Sequence, residues 1–120
     1  MPINSKQKGN RGEREVVNIL NKHLGTNMRR TPLSGGMSFK GDIIDISPDN
    51  PLYEFHIEIK NTKSLQIPKW LKQIEDDMPL GKTGLLIYKQ KGTWRADFTL
   101  NDFIGLLLEI KELRGLSGGE

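Results

Sequence analysis

Residues 53–63, YEFHIEIKNTK, alternate strictly between apolar and polar side chains as far as Lys60. The apolar positions are Tyr53, Phe55, Ile57 and Ile59, and the polar positions are Glu54, His56, Glu58 and Lys60. Because successive side chains of a strand point to opposite faces, this alternation predicts a half-buried β-strand. Its polar face ends with the carboxylate of Glu58, followed two residues later by the ammonium group of Lys60. This pair is either a solvated ion pair or part of an active site.

The composition is that of a single globular domain. A chain of 120 residues with 35% hydrophobic and 28% charged residues suits one domain, 1–120, with one core. No apolar run is long enough to span a membrane, and the N-terminus lacks the apolar segment of a secretory signal. The absence of cysteine excludes disulfides and thiolate metal sites. We therefore expect a cytoplasmic protein.

Positive charge is concentrated near the N-terminus. The first 30 residues hold seven Lys and Arg residues against two Glu, a net charge of +5, whereas the whole chain carries +3. A basic segment of this kind indicates a polyanionic partner such as nucleic acid. Judged by charge alone, a solubilising basic surface remains an equal alternative.

The rest of the chain predicts helices on both sides of a mixed sheet, an α/β fold. A helix is expected from Asn10 to about Gly25, with Asn10 as its N-cap and Glu13 in the capping-box position. Residues 1–9 are expected to be a flexible basic arm, and residues 114–120 a flexible tail. The expected order continues with a short strand at 28–33, a strand at 42–46, the strand of the opening stretch, a helix from Ile67, strands at 83–89 and 93–98, and a helix from about Asn101.

The turn-forming cluster at residues 47–51 predicts a hairpin between the strand at 42–46 and the opening stretch. If that hairpin turns near Asn50, Asp42 faces Glu58, with Cβ atoms roughly 5 Å apart. Two such carboxylates repel unless a cation lies between them, and Mg²⁺ prefers oxygen ligands. Lys60 lies on the same face, and Glu13 can supply a third carboxylate from the first helix.

Each of these residues also has an ordinary structural interpretation. Glu58 and Lys60 can form a surface ion pair, Asp42 can cap a turn, and Glu13 can close the capping box. His56 is better explained as a histidine on the sheet surface than as a ligand, and Asp45 falls on the apolar face of its strand.

Four blocks of sequence resemble the PD-(D/E)XK nuclease superfamily, and more narrowly the archaeal-type Holliday junction resolvases and their phage or viral relatives. The blocks are KGNRGERE at 8–15, RRTPLSGG at 29–36, GDIID at 41–45 and EIK at 58–60. The third block has Gly41 where the superfamily usually has proline.

The resemblance implies a restriction-endonuclease-like core of order αβββαβ and a metal-dependent hydrolysis of DNA phosphodiester bonds. It implies that Mg²⁺, or Mn²⁺ in its place, is bound by Asp42, Glu58, the carbonyl of Ile59 and Glu13. Lys60 would then act on the nucleophile. It also implies that Ser34 approaches the scissile phosphate.

The resemblance further implies a four-way DNA junction as substrate, in recombination or repair, and a phage- or virus-encoded homodimer. The last helix, Trp70 or Trp94 can form the dimer interface, although core packing is the simpler explanation of both tryptophans. The expected DNA contacts are Lys6, Lys8, Arg11, Arg29, Arg30, Gly35 and Gly36. The alternatives are a related nuclease acting on flaps or duplex ends, a non-catalytic DNA-binding module, and a basic RNA-binding domain.

Overall fold

The computed structural model describes residues 5–32 and 41–115. They form the mixed α/β fold that the sequence predicts. The elements are α1 (Ser5–Leu24), β1 (Arg29–Arg30), β2 (Ile43–Ile44), a 3-10 helix (Pro51–Glu54), β3 (Phe55–Lys60), α2 (Ile67–Asp77), β4 (Thr83–Gln90), β5 (Thr93–Asp97) and α3 (Leu100–Leu113). The predictions for Ser34, Gly35, Gly36, residues 1–4 and residues 116–120 lie outside the described residues.

The main sheet has three strands in the order β3-β4-β5. β4 runs parallel to β3, with Glu58 opposite Leu86, and antiparallel to β5, with Lys89 opposite Trp94. Parallel strands need a crossover connection, and α2 supplies it between β3 and β4. In this three-stranded sheet β3 is therefore an edge strand. β1 and β2 form a separate antiparallel pair of two residues each.

Helices cover both faces of the sheet. On one face, Ile57 and Ile59 of β3 pack in a cluster with Val16 and Val17 of α1. The other face carries a second cluster, formed by Leu86 and Tyr88 of β4 with Trp70 and Ile74 of α2. Gly84 lets α2 approach, since a Cβ atom there would lie 2.7 Å from Cγ2 of Ile74. As a consequence β3 is buried on both faces, and the prediction of a half-buried strand was wrong.

The first helix begins earlier than predicted. It starts at Ser5, so the expectation of a flexible arm was wrong for residues 5–9, and Asn10 lies inside the helix rather than at its N-cap. Gly9 disfavours helix by only about 1 kcal/mol, too little to stop it. A tertiary contact supports the extra turns, because Nδ2 of Asn61 donates to the carbonyl of Lys8 at 3.0 Å.

The predicted hairpin is not formed as a ladder. Ile43 and Ile44 pair with β1, and residues 51–54 turn into the 3-10 helix, which Asn50 caps by accepting from the N–H of Leu52 at 2.9 Å. One backbone contact to β3 remains, in which the N–H of Asp42 donates to the carbonyl of Ile57 at 2.7 Å. The chain before the 3-10 helix therefore contacts the backbone of β3 at Asp42, and the residues after Asp42 turn away from β3 to pair with β1.

The last helix packs weakly on the body of the domain. α3 begins after Thr99, whose Oγ1 accepts from the N–H of Asp102 at 3.0 Å, and no residue of the helix is buried. Both tryptophans instead contact their own chain. Trp70 is buried in the α2 cluster, and Nε1 of Trp94 donates to Oε1 of Glu15 at 2.9 Å. Within the described ranges, no helix is both long enough and apolar enough to cross a membrane.

Candidate active site

Asp42 is fixed against the open edge of β3 by two hydrogen bonds. Its N–H donates to the carbonyl of Ile57 at 2.7 Å, and its Oδ2 accepts from the N–H of Ile59 at 2.6 Å. The two bonds are made to the residues on either side of Glu58, so Asp42 lies beside Glu58 as the sequence predicted. The carbonyls of Gly41 and Asp42 also accept hydrogen bonds from the Thr31 side chain and backbone, at 2.8 and 3.0 Å.

The backbone conformation at Gly41 explains why this chain does not have the usual proline before Asp42. Its φ angle is +81°, a left-handed conformation that glycine adopts freely. Proline is locked near −65° and cannot adopt it. A Cβ atom would also lie 3.1 Å from the carbonyl oxygen of Ile57. Glycine is therefore the residue that allows this backbone to bring Asp42 onto β3.

Glu58 is a buried carboxyl that hydrogen-bonds to Asp42. Burial, followed by the charge of Asp42 and the hydrogen bond to it, raises the pKa of Glu58 to about 8. Burial also raises the pKa of Asp42, although the hydrogen bonds from Ile59 and Glu58 oppose that rise. Because the pKa of Glu58 lies near 8, its protonated carboxyl can donate the hydrogen bond to the half-buried Asp42 at neutral pH.

Glu13 extends the acidic site from α1. Burial and the charge of Asp42 raise its pKa, while Arg30 and Lys60 lower it. Nε of Arg30 lies 3.9 Å from Oε1 of Glu13. Although α1 covers the face of the sheet opposite to Glu58, Glu13 comes close to Asp42 because β3 is at the sheet edge. The predicted third carboxylate thus lies beside the pair.

Lys60 reaches the site from the end of β3, and its ammonium is held by α2. Its charge lowers the pKa values of Asp42, Glu58 and Glu13. Its Nζ donates to Oε1 of Gln73 at 3.1 Å. The structure therefore brings together the four side chains that the sequence singled out: Glu13, Asp42, Glu58 and Lys60.

Sequence reasoning missed three residues of the site. His56 is buried rather than on the sheet surface, with Nε2 3.2 Å from Oε1 of Glu58. Gln73 holds Lys60, and the charge of Asp77 helps to raise the pKa of Glu58. A signal for the last two was present, because they stand three and seven residues after Trp70 and therefore flank the buried stripe of α2, although Gln73 is exposed and Asp77 only half-buried.

The predicted DNA contacts have different surroundings. The side chains of Lys6 and Arg11 are exposed on α1, and that of Lys8 is half-buried. Nε of Arg29 bonds to Asp45, and Arg30 turns inward toward Glu13. Ser34, Gly35 and Gly36 cannot be placed because they lie outside the described residues.

The carboxyl pair has the chemistry of a divalent-metal site. The protonated carboxyl of buried Glu58 and the half-buried carboxyl of Asp42 offer oxygen ligands to a cation that would replace the proton. In the described ranges, no group of three or more acidic, histidine or cysteine side chains is arranged to hold an ion by itself. Mg²⁺ is usually held by one or two carboxylates, with waters and substrate phosphates completing its shell. Asp42 and Glu58, with the carbonyl of Ile59, fit that pattern.

A mixed sheet that brings an aspartate and a Glu-x-Lys motif together at its edge defines a nuclease of the PD-(D/E)XK class. The model of the family described as "Phage putative PDDEXK endonuclease" matches residues 4–106. The chain belongs to this family of phage endonucleases, which makes it a nuclease by class and DNA its implied substrate. "Protein D14" of Escherichia phage T5 is 28% identical over an alignment of 112 positions, which covers 78% of this chain and 70% of that protein. No solved structure matches the chain significantly.

The raised pKa of Glu58 predicts how stability depends on pH in metal-free protein. The folded state keeps the Glu58 proton up to about pH 8, whereas the unfolded chain loses it near 4.5. Because the folded state binds more protons in this range, the free energy of unfolding falls as the pH rises through it. We expect Glu58→Gln to reduce this fall by about 1–3 kcal/mol. Urea unfolding in EDTA at several pH values from 5 to 8.5 measures it.

Glu75→Gln is the matched control, because Glu75 is an exposed carboxylate on α2. It should leave the dependence of stability on pH as in the wild type. An equally steep fall in Glu58→Gln would contradict the assignment of this proton to Glu58.

Proposed function

We propose that the protein is a Mg²⁺-dependent DNA endonuclease whose active site is formed by Glu13, Asp42, Glu58 and Lys60. The observation that supports this proposal best is the contact between buried Glu58 and half-buried Asp42, which Lys60 approaches at the edge of β3. Asp42, Glu58 and the carbonyl of Ile59 would hold the metal, and Glu13 would hold a second ion or a water bound to the first. Bound Mg²⁺, or Mn²⁺ in its place, supplies Lewis acidity at the phosphate and lowers the pKa of a bound water.

Lys60 is the residue that we assign to the nucleophile. Its ammonium would orient the attacking water, favour its ionisation by stabilising the hydroxide that forms, and offset the negative charge that develops on the phosphate. Gln73 positions that ammonium through the 3.1 Å hydrogen bond from Nζ. His56, in contact with Glu58, orients the carboxylate. The sequence resemblance assigns Ser34 to a position beside the scissile phosphate.

We propose a four-way DNA junction as the substrate, cut by symmetric nicks during recombination or repair. The support is the resemblance of the four sequence blocks to the junction resolvases. The basic residues of α1, Lys6, Lys8 and Arg11, are suited to phosphate contacts, which carry affinity but no base specificity. Such contacts favour recognition of DNA shape. With DNA as its substrate, the enzyme would act in the cytoplasm, where phage DNA is replicated and recombined.

Symmetric nicking needs two active sites, and we propose a homodimer formed through α3. The helix turns Asp102, Leu106, Glu109 and Glu112 toward an open recess of about 950 Å³ that it lines together with residues 48–55. Its other large apolar side chains are exposed, although Leu113 also borders the recess: Leu100, Phe103, Ile104, Leu107, Leu108, Ile110 and Leu113. A helix whose apolar side faces away from its own chain is typical of one that another subunit covers.

The size of the exposed surface suits a second copy of this chain. The exposed fractions of these seven side chains, 43–87%, together equal about four fully exposed ones. At roughly 100 Å² of apolar area for each, they offer about 400 Å² per copy. A standard interface takes about 800 Å² from each partner, somewhat more than half of it apolar. The apolar side of α3 thus supplies most of the apolar area that one side of such an interface needs.

Cleavage of defined DNA substrates tests the proposed activity. The wild type and Glu58→Ala would be incubated with a labelled four-way junction, a flap and a linear duplex of the same arms, in Mg²⁺ and in EDTA. We expect paired, symmetric nicks on the junction that require Mg²⁺ and fall at least a thousandfold in Glu58→Ala, since that variant lacks half of the carboxyl pair. Glu75→Ala, on the exposed side of α2, should cut at the wild-type rate.

Two other outcomes of this cleavage experiment would favour one of the alternative functions, a nuclease for other DNA or a non-catalytic DNA-binding module. Cleavage of the flap or duplex as fast as the junction would keep the nuclease and reject the junction as its specific substrate. Binding of DNA with no cleavage of any substrate would reject the enzyme and favour a non-catalytic DNA-binding module.

The oligomeric state in solution tests the proposed interface. By light scattering, we expect the wild type at about 50 µM to have twice the 13.6 kDa mass of one chain. Leu107→Lys should give the mass of one chain, because it places a charge in the apolar interface, while leaving helix propensity nearly unchanged. Leu80→Lys is the control, since Leu80 is fully exposed outside α3. A monomeric wild type, or a Leu107→Lys variant that remains dimeric, would reject the α3 interface.

A further inference from the structure

A second basic feature lies at the carboxyl ends of β3 and β4. It is a recess of about 390 Å³, and its four ionisable lining residues are all lysines: Lys8, Lys63, Lys89 and Lys91. We call this feature the lysine recess. Lys8 comes from the start of α1, Lys63 follows β3, and Lys89 and Lys91 belong to the end of β4 and the turn after it. Three separate parts of the chain therefore converge on one concave, positively charged surface.

The positive charge of the recess is only partly balanced. Nζ of Lys89 lies 3.4 Å from Oε1 of Glu15 and 5.2 Å from the ring centroid of Trp94. Within residues 5–32 and 41–115, Lys8, Lys63 and Lys91 form no ion pair. Ammonium groups that are gathered in a concavity with one carboxylate nearby raise the local concentration of anions.

The walls of the recess are held by the fold. Nδ2 of Asn61 bonds to the carbonyl of Lys8 at 3.0 Å, and a Cβ atom on Gly12 would lie only 2.6 Å from that of Asn61. This close approach fixes the start of α1 against the end of β3. Lys91 and Gly92 form a two-residue turn with φ angles of +49° and +80°, the signs that a tight hairpin turn requires. The turn sets the position of Lys91 on the opposite wall.

The recess is close to the carboxyl pair. Asn61, which lines it, follows Glu58 by three residues, a distance of about 10 Å along an extended strand. Successive phosphates of one DNA strand are spaced by about 3.4 Å along the duplex axis. A strand that has its scissile phosphate at Glu58 and runs along the direction of β3 would therefore pass the recess about two to three nucleotides away.

We propose that the lysine recess binds the DNA backbone two to three nucleotides from the scissile phosphate. This inference rests on the proposed function, because it takes the polyanion to be the DNA that the site cuts. Lys8, already a candidate DNA contact, acts here together with Lys63, Lys89 and Lys91. A backbone segment of several phosphates matches ammonium groups from three elements better than a single small anion does. The recess would fix which phosphate of the strand reaches the carboxyl pair.

The salt dependence of DNA binding tests this proposal without relying on cleavage. Binding of a fluorescent four-way junction would be followed by anisotropy in EDTA, over a range of NaCl concentrations, for the wild type, Lys63→Gln, Lys91→Gln and the double variant. Each lost phosphate contact should make the negative slope of log K against log salt less steep by about 0.9, which corresponds to binding about eightfold weaker at 0.1 M NaCl when referred to 1 M salt. Lys22→Gln, exposed near the far end of α1, should match the wild type.

The outcomes separate this inference from the proposed function. Reduced slopes in Lys63→Gln and Lys91→Gln support the recess even if no DNA is cut. Slopes equal to that of Lys22→Gln overturn it even if the junction is cleaved. Inorganic phosphate at 10 mM and constant ionic strength should not compete with DNA. Competition in the wild type that disappears in the double variant would make the recess a small-anion site and overturn the proposal.

Neutral methylphosphonate linkages, placed one at a time along the junction strand, test the position. Linkages two to three nucleotides from the cut should weaken wild-type binding but not that of the double variant, since the variant has already lost the contact. An equal effect on both proteins at every position would reject the proposed path of the strand.

Discussion

The two hydrogen bonds between Asp42 and β3 are the constraint on which the site depends. Each uses a backbone group beside Glu58, so they bring a second carboxyl against one that is already buried. Burial raises the pKa values of both residues, and the charge of Asp42 raises that of Glu58 further. The bonds are available because β3 is an edge strand. Had another strand paired there, Asp42 could not have reached the peptide groups of β3.

The surrounding fold positions each partner of the carboxyl pair from a different element. α1 brings Glu13 to the sheet edge, and α2 closes over Gly84 so that Gln73 meets Lys60. Because Glu58 and Lys60 are on the face that α2 covers, their environment is set by the packing of that helix. Burial raises the pKa of Glu58 within this Glu-x-Lys pair, and perturbed carboxyls of this kind are frequent at functional sites.

Local sequence patterns predicted most elements, whereas non-local pairing was predicted less well. Alternation in β3 and the apolar stripe of α2 depend on neighbouring residues, and both elements formed where expected. The pairing of Arg29 with Ile44 joins segments 15 residues apart, and no local pattern distinguishes it from the predicted hairpin. Asp42 nevertheless lies beside Glu58 as predicted, because the turn-forming residues 47–51 reverse the chain and bring β3 back alongside Asp42. His56 was misjudged because alternation cannot tell which helix will cover a polar face.

We propose that Asp42 and Glu58 hold a metal ion, and that binding of the ion displaces the proton that Glu58 keeps in metal-free protein. Calorimetric titration of metal-free protein with Mn²⁺ at pH 7, in two buffers of different ionisation enthalpy, measures the protons released on binding. With the Glu58 pKa at about 8, we expect close to one proton to be released per ion by the wild type, and none by Glu58→Gln. Absence of Mn²⁺ binding, or binding without proton release in the wild type, would contradict this account.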